Sequence, residues 1–250
     1  MGVVYIGDRA AGKTHLALEL SNPKTEYVKV TSQDYQSLQG ILMDEQGGTR
    51  PTDLQQPIYN RPLDVEVRLP TGSKSVSVDW IDTPGEVWRK SWQCDNQMEW
   101  QKILDTMSES EGIFLILPPH RGMTFNTGAN PDEFMTQEQW CHRFDRWVDF
   151  FRYECPKLRH LVICLNKADL FCNLSQEAKK LSYSPNGTQM NWQQRHMHVV
   201  QRYFRPIQNQ LQQINQSLER VSVRCFITSI HNRSVLELPW IYMGSFLAKS

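Results

Sequence analysis

Short apolar segments recur along the chain and predict the strands of a sheet. Residues 63–69 and 76–80 alternate between apolar and polar positions, the period of a strand with one buried face. Mainly apolar runs make up the other predicted strands, at residues 3–6, 112–117, 161–165 and 221–227. With the second alternating segment continuing to residue 81, the pattern predicts six strands in an α/β protein.

The two alternating segments are joined by a link too short to return the chain in parallel. Residues 70–75 lie between them, whereas a parallel crossover needs a dozen residues or more. These segments must therefore form a hairpin. We expect a mixed sheet in which one antiparallel strand lies beside the strand that ends at Asp82, with helices on both faces.

Helical periodicity appears in two longer segments. Apolar residues recur near helical spacing over residues 131–153 and again over residues 191–220, where Pro206 predicts a kink or a break. Residues 171–190 lack such a pattern and are interpreted as an irregular insertion. The segment after residue 230 is short for a terminal helix, and residues 237–242 can be extended. The domain is then either part of a longer chain or closed against another domain.

Composition limits the classes of function. The 250 residues suit one domain covering 1–250, with the insertion at 171–190 and an atypical segment at 231–250. A formal net charge of zero argues against a nucleic-acid footprint over the whole surface. No apolar run has membrane-spanning length, and no lipidation motif provides a direct membrane anchor. Six cysteines without a C-x-x-C pair favour a reducing cytoplasm, and the seven histidines form no recognisable metal-ligand set.

One octet carries the first chemical signal. It matches G-x-x-x-x-G-K-[ST] at every defined position, directly after the strand at residues 3–6. Such a loop presents backbone N–H groups to phosphates, while its lysine reaches the β and γ phosphates and its hydroxyl binds Mg²⁺. The following residues, from His15 onward, are typical of the helix whose N-terminus faces the anion. The octet consists of Gly7, Asp8, Arg9, Ala10, Ala11, Gly12, Lys13 and Thr14.

Two further motifs follow predicted strands in a fixed order. Asp82-Thr83-Pro84-Gly85 ends the third strand, and Asn166-Lys167-Ala168-Asp169 follows the fifth. With the octet, these motifs make the chain resemble the P-loop GTPases, specifically the Ras-like, translation-factor-related superfamily, from residue 3 to about residue 230. Its irregular insertion is similar to those of some bacterial chains that fuse a GTPase domain to partner or defence modules. The resemblance implies a three-layer P-loop GTPase fold.

The resemblance assigns recognition of guanine to two loops. Asn166 would bond the purine N7, Asp169 would accept from guanine N1 and N2, and the stem of Lys167 would pack over the sugar and ring. Adenine lacks both donors, so a buried carboxylate there would be left unpaired. Ser229 and Ile230 occupy the position of the loop whose backbone N–H meets guanine O6.

The resemblance also places a magnesium ion and two switch segments. Thr14, Asp82 and a threonine of the first switch would hold Mg²⁺, either Thr52, which is preferred, or Thr49. The Gly85 N–H would sense the γ phosphate, so that hydrolysis releases both switches.

Catalytic assignments depart from the best-known small GTPases. Glu86 replaces the usual water-orienting glutamine, and the γ phosphate repels its charge, which predicts slow hydrolysis. Lys13 is also assigned a catalytic role. Arg50 lies two residues before Thr52 and is either a built-in arginine finger or a solvated loop residue. Arg9 stands where many small GTPases have glycine, and either points to solvent or hinders a partner's arginine finger.

The function expected is a molecular switch that binds GTP and GDP with Mg²⁺, hydrolyses GTP slowly and signals to a protein effector or regulator. Trp88 and Trp92 of the second switch, with Trp100, either form an effector surface or pack on a neighbouring helix. The alternative is a nucleotide-locked interaction module that barely turns over. A third interpretation, an ATP-dependent phosphotransferase, conflicts with the sequence from Asn166 to Asp169.

Overall fold

A mixed sheet runs through the centre of the computed structural model, which describes residues 2–8, 10–32, 35–42, 59–82, 85–88, 90–124, 130–185, 190–217 and 220–247. Within these residues the sheet has seven strands, in the order β2-β3-β4-β1-β5-β6-β7. β3 runs antiparallel to the other six strands and pairs with β2 on one side and β4 on the other. The strands are β1 (Val3–Gly7), β2 (Val28–Val30), β3 (Tyr59–Leu69), β4 (Gly72–Asp82), β5 (Gly112–Leu117), β6 (His160–Leu165) and β7 (Ser222–Ile227).

The expected α/β sheet with one antiparallel strand is confirmed, but the expected number of six strands is wrong. The additional strand, β2, has three residues and pairs with β3, from Val28 opposite Val67 to Val30 opposite Val65. Three residues are too few to show a periodic pattern. This strand is therefore defined by its partner rather than by its own sequence.

The predicted hairpin is confirmed, with a tighter turn than the sequence suggested. β3 and β4 are in register from Tyr59 opposite Asp82 to Leu69 opposite Gly72, which leaves only Pro70 and Thr71 between the strands. The pairing thus absorbs most of the link at residues 70–75.

Helices of the described chain lie between these strands and after the last one. None of them is both long and apolar enough to cross a membrane. They are α1 (Lys13–Ser21), α2 (Tyr35–Leu42), α3 (Lys90–Asp95), α4 (Gln97–Ser108), α5 (Gln137–Glu154), α6 (Leu174–Leu181), α7 (Trp192–Tyr203), α8 (Gln208–Ser217) and α9 (Arg233–Leu247).

Both long helical segments predicted from the sequence are helical, but the helices begin and end at other residues than predicted. Residues 131–133 form a short 3₁₀ turn, and α5 begins after Thr136, whose hydroxyl accepts the Gln139 N–H in a capping box. The helix predicted over residues 191–220 divides into α7 and α8, as Pro206 indicated, with a 3₁₀ turn at Arg205–Ile207 between them.

The irregular insertion predicted for residues 171–190 is partly wrong, because α6 lies within it. Asn173 caps this helix by accepting the Gln176 N–H at 3.2 Å. Ala178 and Leu181 of this helix are buried. The cap and these two apolar positions were visible in the sequence.

An extended conformation for residues 237–242 is also wrong, since these residues belong to α9. Pro239 lies inside the helix and removes one backbone donor. Burial of the apolar side chains around it compensates, because α9 lies flat against the sheet. The rings of Trp240 and Phe114 are 4.4 Å apart, and the rings of Trp240 and Tyr5 are 6.1 Å apart.

A buried ion pair fixes the start of α9 to the other elements on this face. Glu237 has no exposed surface, and it bonds Arg233 and the backbone N–H groups of Glu26 (3.1 Å) and Tyr27 (2.7 Å). Arg233 in turn donates to backbone carbonyls at the end of α1 and to that of Val28 in β2. The pair therefore ties the last helix to the first and to an edge strand.

The second helical layer includes α4, α5 and α8, and both α4 and α8 pack against α5. The apolar stripe of α5 is buried there, including Trp140, Phe144 and Phe151. Its Trp140 indole N–H donates to the Pro118 carbonyl just beyond β5, at 3.0 Å. This bond holds the first turns of α5 near the carboxyl end of the sheet.

His196 makes stability depend on pH. Its Nδ1 accepts the backbone N–H of Cys225 in β7 at 3.0 Å, which requires a neutral ring. Burial, with a smaller contribution from the Arg224 charge, lowers the pKa of His196 to about 4. Because this pKa lies below the unfolded value of about 6.5, its stabilising contribution is complete above that pH and is lost as the pH falls toward 4.

We expect the wild type to lose about 2 kcal/mol of unfolding free energy through this group between about pH 7.5 and about pH 5. Denaturant unfolding at the two pH values measures it. His196→Gln should lose correspondingly less over the same range. His142→Gln, which changes an exposed histidine, should behave as the wild type. Equal pH dependence in all three proteins would contradict the assignment.

Candidate nucleotide-binding site

Three loops meet at the carboxyl ends of the central strands. Each is fixed to the end of a neighbouring strand by a backbone hydrogen bond. The bonds run from Asp8 N to Ile116 O (3.2 Å), from Asn166 N to Leu117 O (2.9 Å) and from Thr228 N to Leu165 O (2.9 Å). The segments predicted to contact phosphate and base therefore lie side by side.

The first loop turns sharply between β1 and α1. A Cβ on Gly7 would lie 2.2 Å from the Ile116 carbonyl oxygen, so no larger residue fits. Gly12 has φ of 83°, in the left-handed region that favours glycine, and a Cβ there would lie 2.7 Å from Asn166 Nδ2. Each of the two glycines of the motif is thus required for a different steric reason. Ala10 between them also has positive φ, 57°.

Lys13 and the first turn of α1 supply the positive side of this loop. The Lys13 side chain is largely buried, and its ammonium donates to the carbonyls of Gly7 (3.0 Å) and Asp8 (3.1 Å). No described residue accepts a hydrogen bond from the backbone N–H of Thr14 or His15. Burial, and secondarily the charge of Lys167 in the loop after β6, lowers the pKa of His15. Backbone N–H groups at a helix start, beside a lysine ammonium, are groups that can bind an anion.

Asn166 joins the loops. Its side chain is almost completely buried, its amide donates to the Ala11 carbonyl at 2.7 Å, and its oxygen accepts the Thr228 hydroxyl at 3.1 Å. One side chain therefore connects the first loop to the loops after β6 and β7.

Asp169 is held by a neighbour in the third loop. The Ser229 hydroxyl donates to Asp169 Oδ1 at 2.5 Å, and His231 Nε2 lies 4.0 Å from Oδ2. The Asp169 side chain is 28% exposed, so it is oriented but accessible. Lys167 has a left-handed backbone, and its ammonium lies 5.3 Å from the centre of the Phe134 ring. Ile230, next in the third loop, is half-buried.

The fold is decided by the sharp glycine loop between the central strand β1 and α1, in a sheet whose longest strand pair is the antiparallel β3–β4 hairpin beside β1. This is the fold of the P-loop GTPases.

Comparisons with solved structures return GTP-binding proteins at low identity. Each likeness has a TM-score of 0.44. One neighbour is a Plasmodium falciparum protein described as nucleolar GTP-binding protein 1, with 13% identity over 99% of this chain and 86% of its own. Another is a GTP-binding protein of the archaeon Sulfolobus solfataricus in complex with GDP, with 12% identity over 98% of this chain and 53% of its own. A bacterial selenocysteine-specific elongation factor shows 10% identity over 100% of this chain and 29% of its own.

These likenesses are too weak to add to the strand order and loop geometry that define the P-loop GTPase fold. The present chain spans about half or less of the length of two of the three neighbours. No family model and no curated protein sequence matches the chain.

Several predicted site residues lie outside the described residues: Arg9, Thr49, Arg50 and Thr52. The backbone of Asp82 ends β4, whose register with β1 pairs Trp80 with Tyr5 and so brings Asp82 level with Gly7. Gly85 and Glu86 begin a 3₁₀ turn that ends at Trp88. The roles assigned to all of these residues stay predictions.

Trp88, in the segment predicted to be the second switch, packs against α5. The Trp88 ring lies 4.4 Å from that of Trp147 and 5.7 Å from that of Trp100. A groove of about 1120 Å³ beside them is also lined by Lys90 and Arg143. Of the two interpretations left open for these aromatics, packing on a neighbouring helix describes Trp88 and Trp100 in this structure.

Two residues of the site were absent from the sequence-based assignment. Thr228 precedes the assigned Ser229 and is the partner of Asn166; its position at the end of a predicted strand was the available signal. Arg143 forms an ion pair with Asp8, with 2.9 Å between Nε and Oδ1. The two are far apart in sequence, and no local pattern links them.

Proposed function

We propose that the protein is a Ras-like GTP-binding switch that binds GTP and GDP with Mg²⁺ and hydrolyses GTP slowly. The observation that carries this proposal is the Asn166 side chain, which joins the phosphate loop at Ala11 to Thr228. A residue that bridges these loops sets the distance between a phosphate group and a base bound beyond it. Asp169, oriented by Ser229, then lies on the side from which a base would be read.

Selectivity for guanine follows from the carboxylate of Asp169. A carboxylate accepts hydrogen bonds and, when ionised, donates none. Guanine N1 and N2 are donors, whereas the corresponding edge of adenine would leave the acid unpaired. The cost of an unpaired, partly buried charged group makes such a site discriminate strongly.

The phosphates would be held by the first loop. Lys13 would exchange its bonds to the Gly7 and Asp8 carbonyls for phosphate oxygens, and the N–H groups of the first turn of α1 would complete the cradle. Thr14, Asp82 and Thr52 would hold Mg²⁺, a fit supported by the position of Asp82 level with Gly7. When bound, the ion neutralises charge on the β and γ phosphates.

Switching would pass from the γ phosphate to Gly85 and on to Trp88. These residues begin and end the same short 3₁₀ turn, and Trp88 packs on α5. A shift at Gly85 would thus change the groove beside Trp88, which is where we place the contact with an effector or regulator. Glu86, and Arg50 if it acts as a finger, would govern the rate of hydrolysis.

Calorimetric titration of nucleotide-free protein with GTP and ATP, each with Mg²⁺, tests the proposal. We expect GTP to bind at least about a hundredfold more tightly than ATP. Asp169→Asn should remove most of that preference, because its amide opposes the guanine donors while still accepting the Ser229 hydroxyl. Asp95→Ala, which removes an exposed carboxylate on α3, should keep it.

Equal affinities for the two nucleotides would overturn the roles of Asn166 and Asp169, and binding of neither would refute the proposal. Single-turnover hydrolysis then separates a switch from a nucleotide-locked interaction module. Slow but measurable release of phosphate supports the switch. A stable GTP complex without turnover favours the module.

A further inference from the structure

An acidic side chain is buried inside the loop that would receive the phosphates. Asp8 follows Gly7 directly, and its side chain is only 2% exposed. Its backbone is part of the cradle, since its N–H bonds the Ile116 carbonyl and its own carbonyl accepts Lys13. A carboxylate at this place is unfavourable for binding a di- or triphosphate, because like charges repel strongly where water is excluded.

Two described cations face Asp8, from different elements. Burial raises the pKa of Asp8, while Arg143 of α5 and Lys13 of α1 act in the opposite direction. Lys13 is the residue that the phosphates would engage. Arg143 is therefore the cation available to stay with Asp8 when nucleotide is bound.

The position of Arg143 suits such a dedicated partner. Its Nε lies 2.9 Å from Asp8 Oδ1, and its side chain is 30% exposed. Among the described residues, none donates a well-aligned hydrogen bond to either oxygen of Asp8, so the contact is chiefly electrostatic. The helix that carries Arg143 is fixed next to it by the buried Phe144 and by Trp147.

We infer that Arg143 is a positioning residue of the nucleotide site, which neutralises Asp8 and so sets the affinity for guanine nucleotides. This inference rests on the proposed function. Arg143 acts through Asp8 and does not touch the nucleotide. Removing the arginine leaves a buried negative charge beside the phosphates, whereas removing both members of the pair restores the local balance of charge.

A double-mutant cycle measured by GDP titration at about pH 8 tests the inference. Arg143→Met should weaken GDP binding about 10- to 100-fold. Asp8→Asn should bind GDP as tightly as the wild type or more tightly. The double variant should return to within about threefold of the wild type. Arg146→Met, which removes an exposed cation from the same helix, is the matched control and should stay near wild type.

The pH dependence of GDP affinity adds a second test, because it would not change if Arg143 had a purely structural role. In Arg143→Met, Asp8 loses a cation and its pKa rises further, so GDP affinity should recover as the pH falls toward about 6. The wild type and Arg146→Met give the baseline for the titration of GDP itself. Parallel pH profiles in all three proteins would overturn the inference.

Other outcomes are equally decisive. Unchanged affinity in Arg143→Met overturns the inference, and so does an equal loss in the single and double variants, which would mean that Arg143 contacts the nucleotide directly. If Arg143→Met fails to fold, weaker binding in Asp8→Asn overturns it and equal or tighter binding supports it. A wild type that binds no guanine nucleotide refutes the proposed function instead.

Discussion

Replacing Glu237 by alanine should lower the free energy of unfolding by about 3–5 kcal/mol, because it leaves Arg233 as a buried charge without its partner. The same change removes the acceptor for two backbone N–H groups before β2, those of Glu26 and Tyr27. For a chain of 250 residues this corresponds to a melting temperature about 10 °C lower. Denaturant unfolding and calorimetry measure the two quantities.

Glu26→Ala is the matched control for this experiment. It removes an exposed carboxylate at the same place but keeps the backbone N–H that Glu237 accepts, so we expect a change within about 0.5 kcal/mol. Replacing Arg233 and Glu237 together by methionine should recover part of the loss, since no charge is then buried alone. A loss below about 1 kcal/mol in Glu237→Ala would show that water reaches the pair.

Lys13→Met should weaken Mg²⁺-GTP binding by about 10²- to 10³-fold, the largest effect expected on ligand binding. Hydrogen bonds to charged groups contribute about 1.5–3 kcal/mol each, and the ammonium would make more than one to the phosphates. Methionine keeps the buried stem of the side chain and removes only the charge. Fluorescence or calorimetric titration gives the affinity.

Lys24→Ala controls for the change of net charge, because Lys24 is exposed just beyond the end of α1. Its affinity for GTP should match the wild type. Equal losses in the two variants would mean that only the long-range field matters. An unchanged Lys13→Met would remove the loop from the proposed site.

Strand positions could be predicted from the sequence where local periodicity determines them. The alternation of residues 63–69 and 76–81 located the hairpin, and the apolar runs located the parallel strands. β2 was missed because a three-residue strand depends on pairing with β3. α9 was misread because Pro239 disfavours a helix locally, while contacts such as that of Trp240 with Phe114 outweigh this preference.

The candidate site likewise contains parts set by a local motif and parts set by contacts between distant segments. Gly7, Gly12 and Lys13 belong to one short motif, so their neighbourhood could be predicted. The bridge from Asn166 to Thr228 and the pair of Asp8 with Arg143 join distant parts of the chain, and no local pattern specifies either. Residue types indicated which chemistry was present, and the sheet order determined which side chains met.

The place of α9 has a consequence for folding. The loop that holds Asp169 through Ser229 leads directly into α9, and Arg233 of that helix reaches back to the end of α1. If α9 came away from the sheet, Lys13 would lie without the opposite wall of the proposed site. Nucleotide bound there would then stabilise only molecules in which α9 is docked, and would favour that docking step.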